Sequence, residues 1–208
     1  MQTILSAHSV NQIKKAPAVD GVLPIFHERW SPRSFADRDV SPDLLKKAFE
    51  AARWAASSFN EQPWRFLLGL RGTSTHDKIF RSLGEFNQKW AGKAPVLILG
   101  VTKTKSSQSG QDNRVALYDL GAAASYFTLE AAALGLASHQ MAGFDPEAAR
   151  TALGIPAEYA IGAVIALGYQ GEPEALTDEK MLDQETKPRT RKNLSEIVFS
   201  AWDEPAEL

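Results

Sequence analysis

Apolar positions along this chain follow two rhythms, one helical and one extended. Leu45, Ala48, Phe49, Ala52 and Ala55 recur at i, i+3, i+4, i+7 and i+10, which predicts one buried helix face. Ser41-Pro42-Asp43 supplies the start: a side-chain cap, a proline in the first turn, and an acid where the helix dipole favours one. Asp145-Pro146-Glu147 repeats that logic for a second helix, which Gly154 ends. Residues 74–90 predict one or two helices with Ile79, Phe80, Leu83, Phe86 and Trp90 facing inward. Residues 114–134 predict a long helix, apolar almost all round and closed by Gly135. Such a helix belongs at the centre of the fold or in an oligomer interface.

The extended rhythm fills the gaps. Residues 65–70 and 161–167 read as strands, residues 136–141 as extended chain, and the apolar run 94–101 as a buried strand. Residues 103–113 are polar and read as a loop. Residues 1–25 read as a loosely committed arm, and the tail 171–208 has too few apolar residues to make its own core. The order is helix, strand, helices, strand, long helix, strand, helix, strand, tail. It predicts a single α+β domain over 1–208. No G-x-G-x-x-G follows a strand, so the turn of a doubly wound dinucleotide fold is missing.

Composition then removes whole classes of chemistry. With 208 residues, 44% of them hydrophobic and 23% charged, the chain matches an ordinary globular domain. A net charge of −2 lacks the basic excess of a nucleic-acid binder, so no such partner is expected. The absence of cysteine excludes disulfides, thiolate catalysis and cysteine-ligated metals, and fits a reducing, cytoplasmic setting. Asp119 and Glu130 interrupt the longest apolar stretch, so no membrane span is expected. The N-terminus has no apolar run behind basic residues and is not read as a signal peptide. His8, His27, His76 and His139 lack metal-ligand spacing, and neither a G-x-S-x-G elbow nor an S-x-x-K nucleophile is present.

One element does carry candidate chemistry. Arg29-Trp30-Ser31-Pro32-Arg33-Ser34-Phe35 sets two guanidinium groups and a hydroxyl at alternate positions, which converge only on extended or looping backbone. Such forks suit a terminal phosphate, and Arg189-Thr190-Arg191-Lys192 offers a second pair. Taken alone, the element is more readily a solvated turn with weak surface ion pairs. Trp64 reads as a structural aromatic, Asn60 as a left-handed loop residue, and Asp119 as a paired structural acid.

In combination, these pieces resemble the nitroreductase family of flavoenzymes. The family's R-x-S-x-R-x-F element is matched by Arg29, Ser31, Arg33 and Phe35. Its Ser-Ser-x-Asn-x-Gln-Pro-Trp segment is matched by Ser57, Ser58, Asn60, Gln62, Pro63 and Trp64. Asp119-x-Gly121 in the long helix, Gly143-Phe144-Asp145, Leu153-Gly154-Ile155-Pro156, residues 164–168 and the terminal Arg189/Arg191 follow in order, so the resemblance spans about residues 25–200.

The resemblance implies a nitroreductase-like fold, a central, mostly antiparallel sheet flanked by helices. It also implies an intertwined homodimer with FMN at the interface, the tail packing across the dimer. Arg29, Trp30, Ser31 and Arg33, with Arg189 or Arg191, would form the phosphate end of the site. Ser57, Ser58, Asn60 and Gln62 would meet the flavin ring or ribityl chain, some of them from the partner subunit. Met141, Ala142 and Gly143 would present backbone amides to the flavin, and nearby His139 is the histidine most worth mutating.

The implied chemistry is ping-pong: NADH or NADPH reduces FMN, then a nitroaromatic, quinone or similar small-molecule acceptor is reduced at the same site. No side-chain general base is needed, because the cofactor carries the chemistry. Ala142 stands where several members have a glutamate, and the chain is short between residues 90 and 115, so the substrate class stays open. Dehalogenation, enone reduction, flavin breakdown, and a non-enzymatic FMN-sequestering role are the alternatives.

Overall fold

In the computed structural model, which describes residues 5–208, the fold is organised by two strands that have no polar face. The elements are α1 (Ala7–Lys14), α2 (Pro24–Glu28), α3 (Pro42–Arg53), β1 (Trp64–Leu70), α4 (Ser74–Ser82), α5 (Glu85–Ala91), β2 (Val96–Lys103), α6 (Ala116–Ala133), β3 (Ala137–Met141), α7 (Pro146–Leu153), β4 (Tyr159–Gly168), α8 (Glu179–Thr186), β5 (Phe199–Ala201) and β6 (Glu204–Pro205). β2 and β4 form the middle of a four-stranded sheet ordered β1-β2-β4-β3. Each neighbouring pair is antiparallel, which sharpens the expectation of a mostly antiparallel sheet.

Side chains alternate across these strands and both faces are covered, so the central runs are continuously apolar. Val96 and Ile98 of β2, with Ile165 and Leu167 of β4, face α3 and α6, packing against Leu45, Ala48, Ala52, Leu120, Ala123 and Phe127. Leu97, Leu99, Val101, Val164 and Ala166 face the other way, onto Ile79, Leu83, Trp90, Ala149 and Met181. Two helical layers therefore sandwich the sheet. Fully burying each of these large side chains contributes about 1.5–3 kcal/mol.

The caps follow the sequence logic. Ser41 Oγ accepts from the Leu44 amide, Asp145 accepts from the Glu147 and Ala148 amides, and Gly154 closes α7 at a φ of 66°. Two expectations need correction, and part of the tail can be located. The residues before 25 contain α1, capped by Ser6 and carrying a fully buried Val10, although residues 1–4 of that arm lie outside the described residues. Phe86 is 40% exposed rather than inward, because α5 spans only two turns and its buried face is taken by Trp90 and Ala91. Within the tail, Met181 and Glu185 are buried on their own chain, whereas Leu194, Ile197 and Trp202 are exposed.

Among the described residues no helix is long and apolar enough to cross a membrane. The edge strand β3 and the loop following α2 lie side by side, since His139 Nδ1 donates to the Pro32 carbonyl at 3.0 Å. That edge positions the candidate site.

Candidate functional site

Residues 29–35 are held as an extended loop, not as a solvated turn. Phe35 forms an isolated antiparallel bridge with Gln170, and the Ala36 amide donates to the Tyr169 carbonyl at 2.9 Å. Ser34 Oγ donates to the Glu172 carbonyl at 2.6 Å, and the Gly171 amide returns to the Ser34 carbonyl at 2.9 Å. The approach is so close that a Cβ at Gly171 would stand 2.6 Å from the Phe35 carbonyl carbon. Only glycine permits it.

This loop, the C-terminal end of α1, β3 and the tail enclose a hollow of about 310 Å³ lined by Lys14, Arg29, Trp30, Ser31, Arg33, His139, Gln184, Arg189 and Arg191. The two arginine elements, far apart in sequence, thus meet. Five cations surround this space, and none makes an ion pair with a carboxylate among the described residues. Burial pulls the pKa of Arg29, Arg33 and Arg189 down, and Arg191 adds repulsion on Arg29 and Arg189. The Arg33 Nε–H is buried with no acceptor among the described residues. Unpaired buried donors of this kind are costly unless a ligand satisfies them.

The basic residues divide their work. Arg189 donates from Nε to the Lys14 carbonyl and from Nη1 to the Arg29 carbonyl, each at 2.6 Å, and from Nη2 to the His27 carbonyl. It fastens the tail to α1 and α2. Arg191 spends one donor on the neighbouring Thr190 carbonyl at 2.8 Å and stays exposed. Arg29 Nη1 donates to Ser31 Oγ at 3.3 Å. Lys187 instead pairs with Asp183 at 2.6 Å, outside the hollow. Trp30 donates through Nε1 to Asn11 Oδ1 at 2.7 Å, and Lys14 Nζ lies 5.0 Å from its ring centre.

His139 completes the floor. Its ring centre lies 4.7 Å from that of Trp90, and Nδ1 carries the proton because the Pro32 carbonyl can only accept. Burial first, then the Arg33 charge, lower its pKa to about 4, so the ring is neutral near pH 7.

The second predicted segment lies elsewhere. Phe59, Asn60 and Gln62 have φ of 50°, 56° and 47°, left-handed positions that cost non-glycine residues about 1 kcal/mol or more each. Local bonds hold them: Ser57 Oγ accepts from the Gln62 amide at 3.0 Å, and Asp119 Oδ2 accepts from the Ser58 amide at 3.2 Å. Asp119 is thus a structural acid, but its partner is a backbone amide. Glu61 accepts from Ser106 Oγ at 2.5 Å, and from the Ser107 amide and hydroxyl at 2.9 and 2.8 Å, bonds that hold its pKa at about 2. Ser58, Phe59 and Glu61 line a separate hollow of about 380 Å³ with residues of the 106–115 segment.

Met141 is buried at the end of β3, and Gly143 offers its carbonyl to the Gly84 amide and Asn87 Nδ2, both at 2.9 Å. Neither this stretch nor Ser57–Gln62 lines the cationic hollow within one chain. The sequence reading left out Lys14, Gln184 and Glu185. Lys14 and Glu185 each sit on an otherwise apolar buried face, beside Val10 and Met181 at i−4, and that was the only signal available.

The pattern described as the nitroreductase family matches residues 27–89 and 70–169. The chain is 36% identical over 152 residues to a 15.4 kDa protein of the ask 5′ region of Mycolicibacterium smegmatis, covering 68% of this chain and 99% of the relative. It is 32% identical over 178 residues to a Thermus thermophilus protein named NADH dehydrogenase, covering 70% and 84%. Its fold superposes on a crystal structure described as an oxidoreductase containing FMN with a TM-score of 0.81, at 28% identity, covering 89% of this chain and 94% of that one. The chain belongs to the nitroreductase family.

Proposed function

We propose that the protein is an FMN-dependent oxidoreductase that draws reducing equivalents from NADH or NADPH and delivers them to a nitroaromatic, quinone or similar small acceptor. The observation that carries this reading is the cationic hollow, whose five basic side chains have no carboxylate ion pair among the described residues, with the orphaned Arg33 Nε–H. A doubly charged phosphate fits that donor set, since guanidinium forks hold phosphate oxygens bidentately. Arg29, Ser31, Arg33 and Arg191 would hold the FMN phosphate, and Trp30 would brace the loop that carries them. Arg189, with three donors already engaged, would act mainly by fixing the cradle.

FMN, when bound, supplies the redox chemistry, accepting two electrons from a reduced nicotinamide and releasing them to the acceptor in a second half-reaction. The chain's own contribution is to bind, orient and exclude water. Ser57, Ser58, Asn60 and Gln62 would complete the site from the partner of a homodimer, and Met141, Ala142 and Gly143 would flank the ring. Exposed Leu117, Tyr118 and Tyr126 on α6, and Leu194, Ile197 and Trp202 in the tail, support such a dimer, because together they leave a large apolar surface open.

The test is anaerobic reduction of the purified yellow protein by NADH and by NADPH, followed by addition of a nitroaromatic or a quinone. Bleaching by at least one nicotinamide and recovery of colour with the acceptor is expected. Flavin that stays oxidised with both donors contradicts the reading.

A further inference from the structure

We propose that Glu185 is a positioning residue for the phosphate grip, holding the Arg33 backbone so that its guanidinium faces the hollow; this rests on the FMN reading above. Glu185 is the penultimate residue of α8 and only 1% exposed. It shares the inward face of the helix with Met181, one turn earlier, where a second apolar side chain would be the simple choice. The carboxylate instead accepts from the Arg33 amide with both oxygens at 3.0 Å, and from the Ser34 amide at 3.2 Å. Two successive amides of the cradle loop therefore converge on one buried carboxyl group.

That group also stands among the cations. Lys14 Nζ donates to the carbonyl of the adjacent Gln184 at 2.6 Å; burial pushes the Glu185 pKa up, while the Arg33 and Ser34 amides and the Arg33 and Lys14 charges favour the ionised form. The arrangement is odd for an anion-binding site, because a carboxylate beneath the hollow repels a phosphate. Charge alone would select against it. Its compensating value is geometric: with the Arg33 and Ser34 amides fixed from below, Ser34 Oγ is committed to Glu172 and the Arg33 side chain is directed toward the hollow, over the Phe86 ring at 5.8 Å. Preorganised donors bind their anion without reordering cost.

FMN and riboflavin share ring and ribityl chain and differ only in the phosphate, so the ratio of their dissociation constants on the flavin-stripped protein isolates the grip. In Glu185→Ala the preference for FMN over riboflavin is expected to fall about tenfold, with riboflavin affinity unchanged. Glu185→Gln keeps one acceptor oxygen and the side-chain shape, preserving the fold if the alanine variant does not, and should lose about threefold by the same reasoning. A preference that rises in both variants would make Glu185 a mere repulsive charge and overturn the proposal. Equal weakening of FMN and riboflavin would make it only a fold support, and would also overturn it. Wild-type protein with no preference for FMN would instead defeat the phosphate assignment itself.

Discussion

The two segments that the sequence singles out as site elements are built in opposite ways. The 29–35 loop is tied down within its own chain: Gln170, Gly171, Glu185 and Arg189 bind its backbone, and its cations share one hollow with those of the tail. The 57–62 loop is strained, displays Phe59 at 85% exposure, and is fastened largely by side chains: Asp119 below, Glu61 to the 106–107 turn, and Arg65 and Gln108 on its carbonyls. On the proposed reading, one chain would supply the phosphate cradle but only part of the flavin's remaining surroundings. If that reading holds, cofactor retention and acceptor choice are separable, the first set by the 29–35 loop and the second by the more exposed 57–62 loop.

Acid should break the comparison most strongly. An unfolded histidine takes a proton near 6.5, whereas folded His139 takes one only near 4, so between these values the unfolded chain binds more protons. The stability due to neutral His139 is complete above pH 6.5 and is lost as pH falls to 4, about 3 kcal/mol in all. Glu61, with a pKa of about 2, keeps its bonds throughout that window. Denaturant midpoints from pH 7 to 4.5 should therefore fall less in His139→Gln than in wild type, while amide exchange at Ser107 stays slow in both.

Arg33→Ala should act on the cradle alone. Loss of charge-assisted hydrogen bonds to phosphate is expected to weaken FMN by about thirtyfold, with the fold intact. An unchanged affinity, measured by flavin fluorescence, would remove Arg33 from the grip. Asp119→Ala probes the other loop, since it strands the Ser58 amide at a cost of about 1–2 kcal/mol. Hydrogen exchange should quicken across residues 57–62 and leave 29–35 unaltered. The smallest effect belongs to Glu61→Gln near the surface, which should loosen the 104–113 segment in exchange measurements without shifting the thermal midpoint.

What the sequence revealed, and what it hid, follows from the range of the forces involved. Ser41-Pro42-Asp43, Asp145-Pro146-Glu147 and the unbroken apolar run of β2 declare themselves because caps and two-sided burial act through neighbouring residues. The convergence of Arg29, Ser31 and Arg33 was legible from alternate spacing. Lys14 and Glu185 were not, because their partners lie 170 and 152 residues away and each appears locally as a polar residue on a helix. Phe86 was misplaced since helical period alone does not say which of several apolar residues in a two-turn helix finds room. The separation of Ser57–Gln62 from the cradle within one chain is a matter of topology, to which local pattern is blind.

On the proposed reading, the 29–35 loop and Arg191 grip the phosphate of FMN. Titration of flavin-stripped wild-type protein with FMN and with riboflavin tests it most directly. Binding of FMN at least about thirtyfold tighter than riboflavin is the predicted result, in line with charge-assisted contacts to one phosphate. Equal affinity for the two flavins would contradict it.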